Sequence, residues 1–244
     1  MQPYEPIETL AAVSAEPRER WALGHVASHI RLWAVAALGL AADLWTKEWA
    51  FHHLGPHETH VLIPNLASLQ LSLNPGALFG LGAGLAPIFV GASALALMFV
   101  LFLFAHSTTS RKSMHVALGL VLAGAIGNLY DRTTQTAYVA NYSDRGRVIG
   151  KLVDENERFV TIGDFPAGTN PRRIERPSDP RSGMQPVVRD FIKIEAQVGR
   201  HTLWPWIFNV ADALLVVGVA VLLLNFWFDR KHAPSHGGPP AQPA

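Results

Sequence analysis

Cysteine is absent from the 244 residues. That excludes disulfides, thiolate nucleophiles, cysteine-ligated zinc and lipid attachment to a cysteine. Charge is scarce as well. Asp, Glu, Lys and Arg make up 16% of the chain, against about 25% in soluble domains. Residues 59–110 hold none of the four. A stretch so long and so apolar is not the core of an ordinary soluble domain. The formal net charge of +1 leaves no general nucleic-acid footprint. No internal repeat is evident.

What remains is grease in blocks. Four segments approach the ~20 apolar residues that a bilayer crossing needs: 32–51, 85–105, 114–130 and 206–228. Small residues in "LGLAAD" could mark the first as a cleaved leader, but Asp43 and Lys47 at its downstream end argue against that. The short connections set an orientation. Arg18, Arg20 and Arg31 precede the first segment, Arg111 and Lys112 come after the second, and Arg230 and Lys231 after the fourth. Basic residues stay inside, so both termini face the cytoplasm and 52–84 faces outward. The connection 133–205 then lies outside too, its eleven bases offset by nine acids. The expectation is an all-α membrane protein with four transmembrane helices, a small extracytoplasmic β-rich element and a long inserted outer loop.

The chain divides accordingly into a cytoplasmic arm (1–31), a four-span core (32–132 and 187–228), an extracytoplasmic insertion (133–186) and a disordered cytoplasmic tail (229–244). Within the insertion, 147–162 reads as a hairpin around Asp154–Glu157. Five prolines between 166 and 186 predict irregular chain. The segment 61–81 combines strand-like alternation with a Pro-Gly turn and reads as an extended element at the membrane surface.

Ionisable groups inside a membrane are costly, so each needs a reason. Asp43 and Lys47 stand four apart on one helix face, an ion-pair spacing. Asn128 and Asp131 share a face of the third segment, with Gly124 and Gly127 nearby to permit close packing, and Arg132 comes next. Asn209 and Asp212 repeat the i,i+3 spacing in the fourth. Asp212 falls ~9 Å inside that segment at 1.5 Å per residue, too deep to stand alone. Asp190 in "PVVRDFIKI" is the best partner, and Asp164 in "TIGDF" is a rival. Two carboxylates held together share a proton. The charged one can take a proton from water while the neutral one donates to a carbonyl oxygen. That chemistry needs neither metal nor nucleophilic side chain. His52, His53, His57 and His60 cluster in sequence, but their spacing fits no zinc-peptidase pattern. The alternatives are a proton-coupled transporter using Asp43, Asp131 and Asp212 as a relay, and a non-catalytic binding protein.

Taken together, "DLWTK", "NPGALF", "GNLYDR", "VVRDF" and "FNVAD", in that order, resemble the motif series of lipoprotein signal peptidase, signal peptidase II. The resemblance covers 32–132 and 187–228. It implies a bacterial inner-membrane aspartic endopeptidase that removes the signal peptide from diacylglyceryl-modified prolipoproteins at the outer membrane face. Asp190 and Asp212 would be the catalytic dyad. Asn128, Arg132 and Asn209 would orient it, Asn74 would contact substrate, and Asp43 and Lys47 would lie nearby. Asp131 would be structural, paired with Arg132 or neighbouring backbone. The resemblance implies no cofactor and no metal, with prolipoprotein and membrane lipid as partners of a monomer. The chain departs from the family in the 59-residue gap from Asp131 to Asp190, and in Pro75 and Leu78 within the Asn74 motif.

Overall fold

A computed structural model of the chain describes residues 20–76, 86–144 and 146–232. Residues 233–244 of the expected disordered tail (229–244), most of the N-terminal arm, and Leu78 lie outside those residues, whereas 229–232 are helical. Four α-helices are present: α1 (Val26–His53), α2 (Ala86–Ala105), α3 (Lys112–Thr134) and α4 (Val210–His232). The strands are β1 (His60–Ile63), β2 (Ala67–Asn74), β3 (Thr136–Tyr142), β4 (Gly146–Glu155), β5 (Phe159–Asp164), β6 (Thr169–Glu175), β7 (Gly183–Pro186), β8 (Val188–Ile194), β9 (Gln197–Val198), β10 (His201–Thr202) and β11 (Ile207–Phe208).

The expectation of an all-α, four-span fold is therefore corrected. The fold is mixed α/β. Its strands form a four-stranded antiparallel sheet (β1-β2-β8-β11), a five-stranded one (β6-β5-β4-β3-β7) and a two-stranded ribbon. Among the described residues, three helices are long and apolar enough to cross a membrane: α1, α3 and most of α4. The apolar stretch found in α2, Gly91–Ala105, is shorter.

The strands between 166 and 186 escaped the sequence reading because of their prolines. Pro171 lies in β6 and Pro186 in β7, and these are the two edges of the five-stranded sheet. An edge strand tolerates a residue without an N–H, because one side of it has no ladder to complete. One face of this sheet is built by period-2 alternation. Tyr138 and Ala140 on β3 and Val160 and Ile162 on β5 are buried, with Val148, Leu152 and Ile174 packed against them. Ala140 faces Val148, Leu152 faces Ile162 and Val160 faces Ile174 across the ladders.

The insertion closes on itself. Its first strand pairs with its last, Thr136 opposite Pro186. The Val187 N–H then donates to the Gln135 carbonyl at 3.1 Å. The chain thus returns to β8 beside the point where it left α3, and the length of the insertion displaces neither β8 nor α4.

Helix α3 lies between α1 and α4. Its buried side includes Ala117, Leu118, Gly119, Val121, Leu122, Gly124 and Ala125. Small residues let the backbones approach. A Cβ on Gly124 would collide with the Ala211 carbonyl, and one on Gly127 with the Asp43 carboxylate. The outward surface of the helices is apolar: Leu38, Trp45, Leu95, Met98, Phe99, Val216, Leu223 and Trp227 are exposed. So much exposed apolar side chain suits lipid, not water.

Candidate active site

The site forms where α1 and α3 end and α4 begins. The expected fourth segment, 206–228, starts too early. Ile207 and Phe208 are strand β11, paired with Lys193 and Ile192 of β8. Asn209 then caps α4. Its side-chain Oδ1 accepts the Asp212 N–H at 3.0 Å, and its own N–H donates to Asp212 Oδ2 at 3.2 Å. This reciprocal pair is a capping box. It explains the i,i+3 spacing and places Asp212 in the first turn of α4, where a helix N-terminus favours negative charge. Asp212 is therefore not several residues inside a helix, as the sequence had suggested.

The β8–β11 pairing carries Asn209 to Asp190. The Asn209 Nδ2 donates to Asp190 Oδ1 at 2.6 Å and to Asn128 Oδ1 at 3.1 Å. The Asn128 Nδ2 in turn donates to Asp212 Oδ1 at 2.7 Å. Asp190 Oδ2 accepts from the Asn74 Nδ2 at 3.2 Å. Strand register sets this last contact: Ser72 of β2 faces Asp190, so Asn74 is its diagonal neighbour. Asn74 Oδ1 also accepts the Gly76 N–H at 3.1 Å, and the Gly76 carbonyl accepts from Arg132 Nη2 at 3.0 Å. The structure thus gives Asn74, which the resemblance implies as a substrate contact, a carboxylate partner within the protein as well. Arg132 supplies positive charge felt by both Asp190 and Asp212.

Asp190 is 2% exposed, whereas Asp212 is only partly buried. Burial, reinforced by the negative charge of Asp212, raises the Asp190 carboxyl to about 8, against the opposing pull of Asn209, Asn74 and Lys47. Two carboxyls that interact in this way hold one proton between them over a wide range.

Beneath them is a buried ionic layer. Lys47 Nζ donates to Asp43 Oδ2 at 2.8 Å, both fully buried, and lies 3.5 Å from Asp131. It also reaches Asn128 Oδ1 at 3.3 Å. Asp43 Oδ1 accepts the Ala211 N–H at 2.8 Å, so α1 satisfies an orphan donor at the start of α4. Asp131 bonds Arg189. The Arg189 N–H donates to Oδ2 at 2.9 Å, and its Nη2 and Nε donate to Oδ1 at 2.8 and 3.2 Å. The Arg189 Nη1 also reaches Glu48 at 2.7 Å.

Sequence reasoning missed Arg189. A signal was available: in "VVRDF", period-2 alternation puts Arg189 on the Val187 and Phe191 face, where only a buried acid could balance it. Asp164, the rival to Asp190, lies instead on β5, its oxygens held by Asn170 at 2.8 Å and Arg172 at 3.3 Å. The four histidines between 52 and 60 are dispersed. His52 and His53 back-bond along α1, His57 meets Arg172, and His60 lies 3.2 Å from Glu58.

A buried carboxyl and a more exposed one, linked through two asparagines, form an arrangement that can polarise water. Comparison with known proteins gives the family. The profile of the family described as signal peptidase (SPase) II matches residues 35–228. The lipoprotein signal peptidase of Rhodopirellula baltica is 29% identical over 225 residues, covering 90% of this chain and 78% of that one. That of Chlorobium phaeobacteroides is 27% identical over 202 residues, 80% of this chain and 93% of the relative. The Bifidobacterium longum subsp. infantis enzyme reaches 37% over 132 residues, 54% of this chain and 67% of its own. A bacterial membrane enzyme solved by the in meso method at 2.3 Å shares the fold, with a TM-score of 0.59 at 17% identity over 91% of this chain and all of that one. The family match spans most of the chain, including every motif that builds the site, and so the chain belongs to the signal peptidase II family of bacterial membrane peptidases.

Proposed function

We propose that Asp190 and Asp212 are the catalytic dyad with which this peptidase removes the signal peptide from lipoprotein precursors. The observation that carries the reading is the double engagement of Asn209, whose amide binds Asp190 while its backbone N–H binds Asp212. One residue thereby fixes both carboxyls around one point.

The buried Asp190 is the proton donor, and Asp212 is the general base. Asp212 takes a proton from water as the water oxygen bonds to the scissile carbonyl carbon. Asp190 gives its proton to the carbonyl oxygen, and a tetrahedral, non-covalent intermediate results. Collapse breaks the C–N bond. The proton held by Asp212 passes to the leaving amine, and Asp190 recovers its own. Asn128 and Asn209 orient the pair, and Asn74 holds Asp190. Arg132 balances the single negative charge. Asp43 and Lys47 support the start of α4, and Asp131 is structural. No cofactor enters the step.

The substrate is a diacylglyceryl-modified prolipoprotein. Its acyl chains remain in the bilayer while the scissile bond meets the dyad at the membrane surface. Both termini face the cytoplasm and the site faces outward in the bacterial inner membrane, in accord with the basic residues around α2, α3 and the end of α4. The enzyme acts as a monomer. Residues 133–186 are an extracytoplasmic insertion into a core formed by 32–132 and 187–228.

The test is cleavage of a diacylglyceryl-modified precursor peptide by the full chain in lipid vesicles, with mass spectrometry locating the cut. Cleavage just before the modified cysteine is expected, with loss of more than about a thousandfold in Asp190→Asn and in Asp212→Asn while both proteins remain in the membrane. Wild-type rates in either variant reject the dyad.

A further inference from the structure

The dyad accounts for the core but leaves the insertion unused. One part of it reaches back to the core. Between β5 and β6 the chain turns at 165–168, the Gly168 N–H donating to the Asp164 carbonyl at 2.6 Å. From that turn Phe165 packs edge-to-face on Phe51 of α1, centroids 6.0 Å apart. Phe51 continues the buried face of α1 that carries Asp43 and Lys47 at i, i+4 and i+8. Phe165 also joins the cluster of Ala50, Phe51, Leu69 and Phe191, against which Leu73 and Val210 pack. Phe191 is the residue after Asp190, Leu73 the residue before Asn74, and Val210 the first residue of α4. The segments that carry Asp190, Asn74 and Asp212 therefore each have a neighbour in this cluster.

A polar latch fixes the turn beside it. Asp164, 7% exposed, is held by Asn170 and Arg172. His57, in the connection after α1, lies 3.4 Å from Asp164 and 3.0 Å from Arg172 Nη2. The insertion is thus fastened at its base by the β3–β7 pairing and again at this turn.

We propose that Phe165 is a positioning residue of the peptidase: the β5–β6 turn, latched through Asp164, Arg172 and His57, holds β8 and the outer end of α1 so that Asp190 stays shielded from water. The proposal rests on the dyad reading. The buried Asp190 faces Asp212 on α4, Lys47 on α1 and Arg132 on α3. Removing the Phe165 ring leaves those charges in place and admits water, so the Asp190 proton is released at lower pH.

The experiment measures kcat and KM for a diacylglyceryl-modified precursor peptide from pH 6 to 10, using the full chain in vesicles. Phe165→Ala is expected to lower kcat on the order of tenfold with KM little changed, and to move the alkaline limb down by about half a pH unit or more. Phe165→Leu restores most of both. Val153→Thr, at an exposed position on β4, matches wild type. Hydrogen exchange provides an arm independent of catalysis, with faster exchange in β8 expected for Phe165→Ala. Should Phe165→Ala fail to accumulate, His57→Ala and Arg172→Ala carry the same expectation in smaller measure. Wild-type protein that does not cut overturns the peptidase reading. Wild-type cutting together with variants that keep its rate, pH limb and β8 exchange overturns the positioning role alone.

Discussion

Burial falls unevenly on the two carboxyls, and the proposed chemistry derives from that inequality. Asp190 is shut away within β8, while Asp212 is only partly buried. Desolvation favours the protonated form of Asp190, whose carboxyl is raised to about 8. Below that pH the proton is present and available to the substrate carbonyl. Above it Asp190 is charged and cannot donate. Cleavage is therefore expected to fall as pH rises through about 8, and kcat/KM measured in vesicles from pH 6 to 10 checks it; a plateau through pH 10 contradicts it. Asp190 and Asp212 drew notice in the sequence because an acid in an apolar segment demands a partner, and the structure links the two carboxyls through Asn209 and Asn128. Arg189 drew none, because a base outside the apolar blocks does not stand out until the strand buries it. Its partner Asp131 is fully buried. Breaking a buried pair by removing one member costs about 3–5 kcal/mol, so Arg189→Met is expected to lower the melting temperature markedly in detergent. Melting at the wild-type temperature means the pair carries no load.

At the level of elements, α3 is the spacer that fixes how near α1 and α4 come to each other. Gly124 meets the Ala211 carbonyl, and the Ala211 N–H is tied to Asp43. A methyl at Gly124 has no room and must push the first turn of α4, where Asp212 sits. Overpacking of this kind costs about 1–3 kcal/mol. Thermal melting should show that loss for Gly124→Ala, together with reduced cleavage. Gly24→Ala, which meets open space, should be silent. Equal behaviour of the two rejects the close-packing account. Apolar composition marked where the four helices lie, although among the described residues only α1, α3 and most of α4 are long and apolar enough to cross a membrane. It did not mark their ends: the start of α4 is set by the Asn209 cap, which looks in sequence like a polar pair within a span. Strands between 166 and 186 were hidden by prolines, because edge position is a property of the assembled sheet and not of the segment.

The whole molecule is a helical core that carries two sheets at the end where α1 and α3 finish and α4 begins, one holding Asp190 and Asn74, the other formed by the insertion. The long gap in the motif series is bridged because β3 and β7 pair, a contact between residues some fifty positions apart that no local pattern announces. The absence of cysteine makes the orientation testable with single labels. Glu157→Cys, at an exposed site in the insertion, should react with a membrane-impermeant maleimide in intact spheroplasts, whereas Ser110→Cys, before α3, should react only after permeabilisation. The reverse pattern inverts the topology. At the centre of the molecule, Asp190 and Asp212 are proposed to work as one unit. A double-mutant cycle on prolipoprotein cleavage tests this most directly. If the pair acts together, Asp190→Asn with Asp212→Asn loses no more rate than either change alone. Losses that multiply, or a single variant that keeps cutting, would mean that the two carboxyls do not share the reaction.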